Sequence, residues 1–471
     1  MAPPNRRDRL QAYQFLLQRM VSAFVTRDTD PIRSPFRRGG ITMFVGVMIM
    51  IVVMAGAGVY GLLRPGGSTS WRQDGALIVD RGTGAVFVYR DATLHPMANF
   101  ASARLLASTG SPVRTVAAAS LTGTPRGRTL GIPGAPDTLP ASRDMLRGPW
   151  TLCSEPTTEG DTVSGARTVL MVGTGPGTGT DPAERGLLTT GAETGAMSLV
   201  WQGRRHALGP GVLEALALTQ RPRHVVDEAW LEALPRGEDI VTPAVDDLGD
   251  PSEAVPGTAV GQVLRVRSEA STEEFYLVLG DRLRPVTPLL AAVLVGSPST
   301  REAYPDGRPD YVDVGPGEVA DVPRETVDER PDDLAAPVRL PALVEADEAA
   351  ASCAVFAGPG DPPALLTGVA EVPTGRPVEA TGDDTARLVD EVVVPPGQAV
   401  LVEAPTAPGV DAGALSLVTD SGLRYGIPGV EAVQLLGYGQ GELVTMPSAL
   451  VDRIPAGPSL DPERAAEPAR F

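Results

Sequence analysis

Hydrophobic positions change their period twice along this chain, and each change marks a different kind of element. From Asp8 to Val25, Leu10, Tyr13, Leu17, Met20, Val21 and Phe24 recur at three- and four-residue steps, while Arg9, Gln11, Gln14, Gln18 and Arg19 fall largely elsewhere. That spacing predicts a helix with one apolar stripe. Pro31 and Pro35 are expected to end it. Ile41 to Leu63 then runs without a charged residue. At helical rise the run is about 35 Å long, enough to cross a hydrocarbon layer of about 30 Å with some tilt. One retained transmembrane helix is the expectation. Ala55-Gly56-Ala57 has the look of a signal-peptide cleavage site, but the run exceeds a signal's apolar core of about 7–15 residues and follows a segment with its own helical pattern.

Past the span the pattern becomes short apolar runs, turns and brief leucine-rich helical stretches, and it recurs in four places. These read Val86-Phe87-Val88 to His95-Pro96, Ser198-Leu199-Val200 to His206, Tyr276-Leu277-Val278 to Arg284-Pro285, and Ser416-Leu417-Val418 to Arg424-Tyr425. Helical parts follow at Ala103 to Ala107, Leu213 to Leu218, Leu289 to Val295 and Val430 to Leu436. From Val88, Val200, Val278 and Val418 the basic residue lies 7, 6, 6 and 6 positions on, and Pro125, Pro235, Pro316 and Pro455 lie 37, 35, 38 and 37 positions on. Pro125-Arg126-Gly127, Pro235-Arg236-Gly237 and Pro455-Ala456-Gly457 are close to one tripeptide.

The expected fold is a single-pass transmembrane helix plus a large, β-rich α+β region of four related repeat modules around a central domain. Its divisions are a cytosolic segment 1–40, the span 41–63, modules at 64–140, 191–255, 256–325 and 411–471, and a two-part central domain at 141–190 and 326–410. The acidic, Pro-rich stretches Pro243 to Pro256 and Val319 to Pro337 read as surface connectors, and the tail after Ile454 as extended chain.

Charge gives orientation. Residues 1–40 hold eight arginines against Asp8, Asp28 and Asp30, and short arginine-rich flanks stay cytoplasmic. Subtracting that +5 from the net −18 leaves −23 for the part beyond the span, which is expected outside the plasma membrane. So acidic a face repels nucleic acid. The stripe on the short cytosolic helix then needs a cover, either another protein or the membrane surface. Cys153 and Cys353 are the only cysteines. On the external side an even pair suggests one disulfide, stapling two similar halves, and two buried free thiols are the other reading.

Chemistry is sparse. Gly173 to Gly179 is glycine-rich, but a phosphate cradle of the P-loop type needs a lysine, and the chain has none. His95 and His206 stand where other copies carry arginine, which suits a strand-surface group better than a catalyst. His224 with Asp227 and Glu228 reads as a helical surface cluster. Asp306, Asp310, Asp313 and Asp321 do not have the spacing of a calcium loop. No catalytic residue, cofactor or metal is expected.

Several strings nevertheless have a family likeness. Tyr13-Gln14-Phe15-Leu16-Leu17-Gln18-Arg19 leading to Arg27-Asp28, the single span, Leu130-Gly131-Ile132-Pro133-Gly134-Ala135-Pro136-Asp137, Tyr425-Gly426-Ile427-Pro428-Gly429 and the two cysteines together resemble the EccB family of the actinobacterial type VII (ESX) secretion system. The resemblance covers nearly the whole chain. It implies a subunit of an export complex, packed through its N-terminal segment on EccC, EccD and EccE components. It also implies external repeats around a domain with a Cys153–Cys353 disulfide, in contact with other EccB copies. Relatives are described as ATPases, which keeps nucleotide hydrolysis as an alternative. A third possibility is an external module that binds cell-wall glycan or exported protein in the grooves between repeats.

Overall fold

The computed structural model describes residues 6–26, 36–63, 69–160, 162–267, 273–326, 334–347, 349–378, 388–407 and 412–470. Two helices come first, Arg6–Thr26 and Phe36–Leu63. The second contains Gly40–Tyr60, a stretch long and apolar enough to cross a membrane, with none of it buried inside the protein. Pro31 and Pro35, expected to separate the two helices, lie outside the described residues.

From Trp71 onward the described residues form a mixed α/β region of four four-stranded sheets and one six-stranded sheet. Each small sheet is a meander of three antiparallel strands whose first strand also pairs in parallel with a fourth. The first consists of Ala76–Asp80, Val86–Arg90, Thr93–Pro96 and Arg114–Val116. The second consists of Leu187–Gly191, Met197–Trp201, Arg204–Ala207 and His224–Val226. The third has Val263–Arg267, Glu273–Val278, Leu283–Val286 and Val312–Val314, and the fourth has Ala399–Ala404, Ala414–Thr419, Arg424–Ile427 and Leu443–Thr445. Between the third and fourth strand of each lies a short helix, respectively Phe100–Leu106, Val212–Ala215, Pro288–Gly296 and Val430–Leu436.

Local chemistry sets these hairpins. Asp91 and Ala92 both take positive φ (50° and 56°), as do Gln202 and Gly203 (48° and 72°). Two such residues in a row give the two-residue turn whose twist matches the flanking strands. At Gly203 no side chain is possible, because a Cβ would lie 2.2 Å from the Pro363 carbonyl oxygen.

The six-stranded sheet is central. Across it run Ala364–Val369, Ala351–Phe356, Trp150–Glu159, Thr162–Met171, Glu391–Val393 and Arg376–Pro377. Trp150, Leu152 and Leu170 from this sheet share one core with Leu187, Val200 and Trp230 of the second unit and Val400, Val402 and Met446 of the fourth. A second core joins the first and fourth units, Ala101, Leu105 and Ile132 meeting Leu417, Tyr425 and Val433. A third joins the second and third units through Val212, Leu289 and Val293.

Two expectations change here. Strands Leu187–Gly191 and Ala399–Ala404 belong to the second and fourth small sheets, so those units begin before residues 191 and 411. Each strand holds a short apolar stretch, Leu187-Leu188 in one and Ala399 to Val402 in the other, and nothing in such a stretch says which of two adjoining sheets will bury it. The tail after Ile454 is not simply extended. Leu460 and Ala465 are fully buried, Pro462–Ala465 is helical, and Pro468 forms a bridge with Leu130. The Gly131 N–H donates to the Glu467 carbonyl (3.1 Å) and the Ala469 N–H to the Thr129 carbonyl (3.0 Å). The segment 460–469 therefore packs back on the residues that follow the first small sheet.

Candidate functional site

On the first helix, Leu10, Tyr13, Leu17, Met20 and Phe24 are exposed, Phe24 at 89%, and Val21 is half-buried. Arg19 lies over the Phe15 ring, 5.9 Å from its centroid. None of these five side chains is covered by the described residues. A large apolar side chain gains roughly 1.5–3 kcal/mol when fully buried, so this stripe is a surface built to be covered.

Cys153 and Cys353 face each other across antiparallel strands of the central sheet and are joined by a disulfide that spans 200 residues. Both are fully buried, packed with Val169, Met171 and Val369. Neither thiol is free in this structure. Beside them Arg167 bridges Glu155 (2.6 Å) and Glu391 (2.5 Å). Burial pulls the Arg167 guanidinium down, but the two carboxylates outweigh it and hold it above its ordinary value. Asp390 accepts from both the N–H and the hydroxyl of Thr168, at 2.6 and 3.0 Å. The halves of the central sheet are thus tied covalently and by charge.

Each small unit is closed by the same clasp. The backbone N–H groups of Leu94, Arg205, Leu283 and Arg424 donate to the carbonyls of Pro125, Pro235, Pro323 and Pro455 at 2.8–2.9 Å. In return Gly127, Gly237, Glu325 and Gly457 donate to those same four residues at 2.8–2.9 Å. The third clasp uses Pro323, not Pro316, which instead opens the helix Pro316–Val319. The 3-10 turn Pro298–Ala303, inserted after the third unit's helix, displaces the register that counting along the sequence assumes.

The clasp also explains the Pro-x-Gly tripeptides. A Cβ at Gly127, Gly237 or Gly457 would lie 2.5, 2.3 or 2.6 Å from the ring of His95, His206 or Tyr425. These rings pair across their hairpins with Val88, Leu199 and Leu417, and Arg284 pairs with Leu277. The equivalent residue in the fourth unit is therefore Tyr425 rather than Arg424. Where the third unit has Arg284 in place of a ring, Glu325 replaces the glycine and pairs with it at 2.5 and 3.1 Å. Sequence reasoning did not find this coupling, although the change from Pro-x-Gly to Pro-x-Glu was its visible trace.

The motif Leu130 to Asp137 is part of the seam between the first and fourth units. Asn99 caps the helix Phe100–Leu106 by accepting from Ser102 N–H (2.9 Å) and donates through Nδ2 to the Ile132 carbonyl (2.7 Å). Ile132 N–H donates back to the Ser102 hydroxyl at 2.9 Å. A cavity of 460 Å³ lies beside this seam, lined by Asp137, Thr419, Ser421 and Tyr425 among others.

Catalytic geometry is not assembled at the places the sequence singled out. Gly173 to Gly179 leaves the strand Thr162–Met171 and runs to a bridge between Thr180 and Thr367, with no helix starting there to point N–H groups at a phosphate. His206 is fully buried instead of lying on a strand surface, and His224 is a buried strand residue instead of part of a helical surface cluster. Asp227 is the N-cap of the helix Glu228–Ala233, accepting from Ala229 N–H at 2.7 Å. Glu228 accepts from the N–H groups of Glu193 and Thr194. Asp313 pairs with Arg265 at 2.6 Å, while Asp306 and Asp310 accept from nearby backbone N–H groups. Among the described residues no group of three or more His, Cys, Asp or Glu is placed to hold a metal ion.

Comparison with known proteins gives a consistent picture. The family described as "Type VII secretion system ESX-1, transport TM domain B" matches residues 2–469. The ESX-3 secretion system ATPase EccB3 of Mycolicibacterium smegmatis is 29% identical over 488 residues, covering 96% of this chain and 89% of that protein. The ESX-2 secretion system ATPase EccB2 of Mycobacterium tuberculosis is 28% identical over 500 residues, covering 98% and 94%. Among solved structures, the EccB3 dimer from the ESX-3 core complex matches with a TM-score of 0.63 at 25% identity, covering 83% of this chain and all of that one. A chain of an intact ESX-5 inner membrane complex shares the fold, with a TM-score of 0.63 at 24% identity and coverage of 100% and 96%. With a match from residue 2 to residue 469, this chain belongs to the EccB family of type VII secretion proteins.

Proposed function

We propose that this chain is an assembly subunit of a type VII secretion complex in the inner membrane, with a cytoplasmic N-terminus, one span and a periplasmic region that associates with further copies of itself. The family match over essentially the whole chain carries this reading. Solved relatives described as an EccB3 dimer and as an intact ESX-5 inner membrane complex support self-association and companion subunits. The arginine-rich flank supports the orientation. The stripe of Leu10, Tyr13, Leu17, Met20, Val21 and Phe24 is the surface that companions of the EccC, EccD and EccE types would cover. The four small sheets, with their shared strand order and clasp, are read as related modules around a disulfide-linked central domain.

Work in this subunit is architectural. Relatives carry the word ATPase in their names, yet this chain has no lysine and its glycine-rich loop leads into no helix. Magnesium-dependent turnover by pure protein that disappears with one point substitution would reverse that assignment. The direct test of assembly is Leu17→Asp combined with Met20→Asp. The pair should free this subunit from co-purifying companions while the periplasmic region keeps its melting temperature. Undiminished co-purification would contradict the docking role of the helix.

A further inference from the structure

The second small sheet carries a buried imidazole on each of its two edge strands, His206 on one and His224 on the other. The segment 334–347 connects the third unit to the strand that holds Cys353, and on its way it lies against this sheet. At its start, Glu238 N–H donates to the Leu334 carbonyl (2.8 Å) and the Glu238 carboxylate accepts from Ala336 N–H (3.3 Å). Farther on, Gly186 donates to Ala342 and accepts from Val344, both at 2.9 Å. At its end, Val344, Glu345 and Asp347 line a cavity of 390 Å³ together with His224.

His206 braces the first of these attachments. Its Nδ1 donates to the Glu238 carbonyl at 2.8 Å. A carbonyl only accepts, so Nδ1 holds the ring proton and Nε2 is a bare lone pair, which has no partner. Gly237 lies flush against the ring, 2.3 Å from where its Cβ would be, leaving no room to turn. At the other end, His224 Nδ1 is 3.4 Å from the Ser352 hydroxyl and its Nε2 also lacks a partner.

We propose that the two imidazoles make residues 334–347 an acid-released strap, clamped while both rings are neutral and loosened when they take up protons. Protonation would place a full charge on each buried ring, and at His206 a new N–H on a nitrogen that has nothing to donate to. The charged surroundings of His206 are mixed: the Glu238 and Asp239 carboxylates favour the cation and Arg204 opposes it. Around His224, the Val344 carbonyl and, less strongly, Asp347 favour the cation. Arg185 and Glu345 line the same cavity, Arg223 shares the smaller adjoining one, and Ser352 from the central sheet is neutral. Burial outweighs these attractions at both rings and holds each below the ordinary histidine value. The unfolded or released state therefore binds protons first, and the clamp weakens as pH falls below about 6.5.

A spin label reads the strap directly. Both native cysteines are tied up in the disulfide, so Val338→Cys, at a 61% exposed strap position, takes the label alone in the full chain in detergent. Val430→Cys in the fourth unit, which has Tyr425 where the second has His206, is the control. Between about pH 7.5 and pH 5, chosen to bracket ordinary histidine titration, the spectrum at 338 should shift from immobilised to mobile while that at 430 does not. His206→Gln with His224→Gln should abolish the shift. An unchanged spectrum at 338, an equal shift at 430, or the same shift in the double histidine variant would overturn the proposal. The first two readings use the native histidines and do not depend on how the variant folds.

Discussion

Gly237 shows how one missing carbon fixes a fold. Its backbone closes the second unit's clasp while its empty side faces the His206 ring. Gly237→Ala should lower stability in urea unfolding by about 1–3 kcal/mol, the usual cost of overpacking. Glu228 behaves differently. Burial pushes this carboxyl up, but hydrogen bonds from Thr194 and Glu193 outweigh it and hold it below the ordinary glutamate range. Its contribution is complete above about pH 4.5 and is lost as pH falls through the lower folded value. Glu228→Gln should flatten that acid limb in a pH series of melting temperatures. At this scale the sequence was legible wherever residue type alone decides, as in the uncharged span. It was not legible for His206 and His224, because polar type pointed to the surface while position in the sheet buried them.

The strand and helix pattern carried most of the element-level information. The helix Val430–Leu436 falls where leucine spacing predicts it, and all four small-unit helices lie within a few residues of their expected places. What the pattern could not assign was sheet membership. Val400, Leu401 and Val402 form a run that fits any buried strand, and its pairing with Ser416 to Val418 and with Leu443 and Val444 places it in the fourth unit. The third clasp was displaced for a related reason, an insertion that shifts spacing without altering the sheet. The disulfide acts between elements. In the chain-entropy description, closing a loop of this length restricts the unfolded chain by about 5 kcal/mol. Cys153→Ala with Cys353→Ala should therefore lower the urea midpoint, and an unchanged midpoint would mean that Arg167, Glu155 and Glu391 suffice to hold the central sheet.

At the scale of the whole molecule, the small units are joined in pairs through shared cores. The fourth packs on the first, the second on the third, and the tail returns to Leu130. Removing residues 458–471 should expose that seam and lower the melting temperature more than truncation at 470 does. Among the described residues nothing comparable covers the first helix, whose apolar stripe stays exposed ahead of the helix long and apolar enough to cross a membrane. The composition of the particle extracted from native membranes is the most direct test of an assembly role. Native mass measurement of the detergent-extracted full chain should find several copies together with companion membrane subunits. Recovery of a lone chain, under conditions that keep those companions associated with one another, would contradict it.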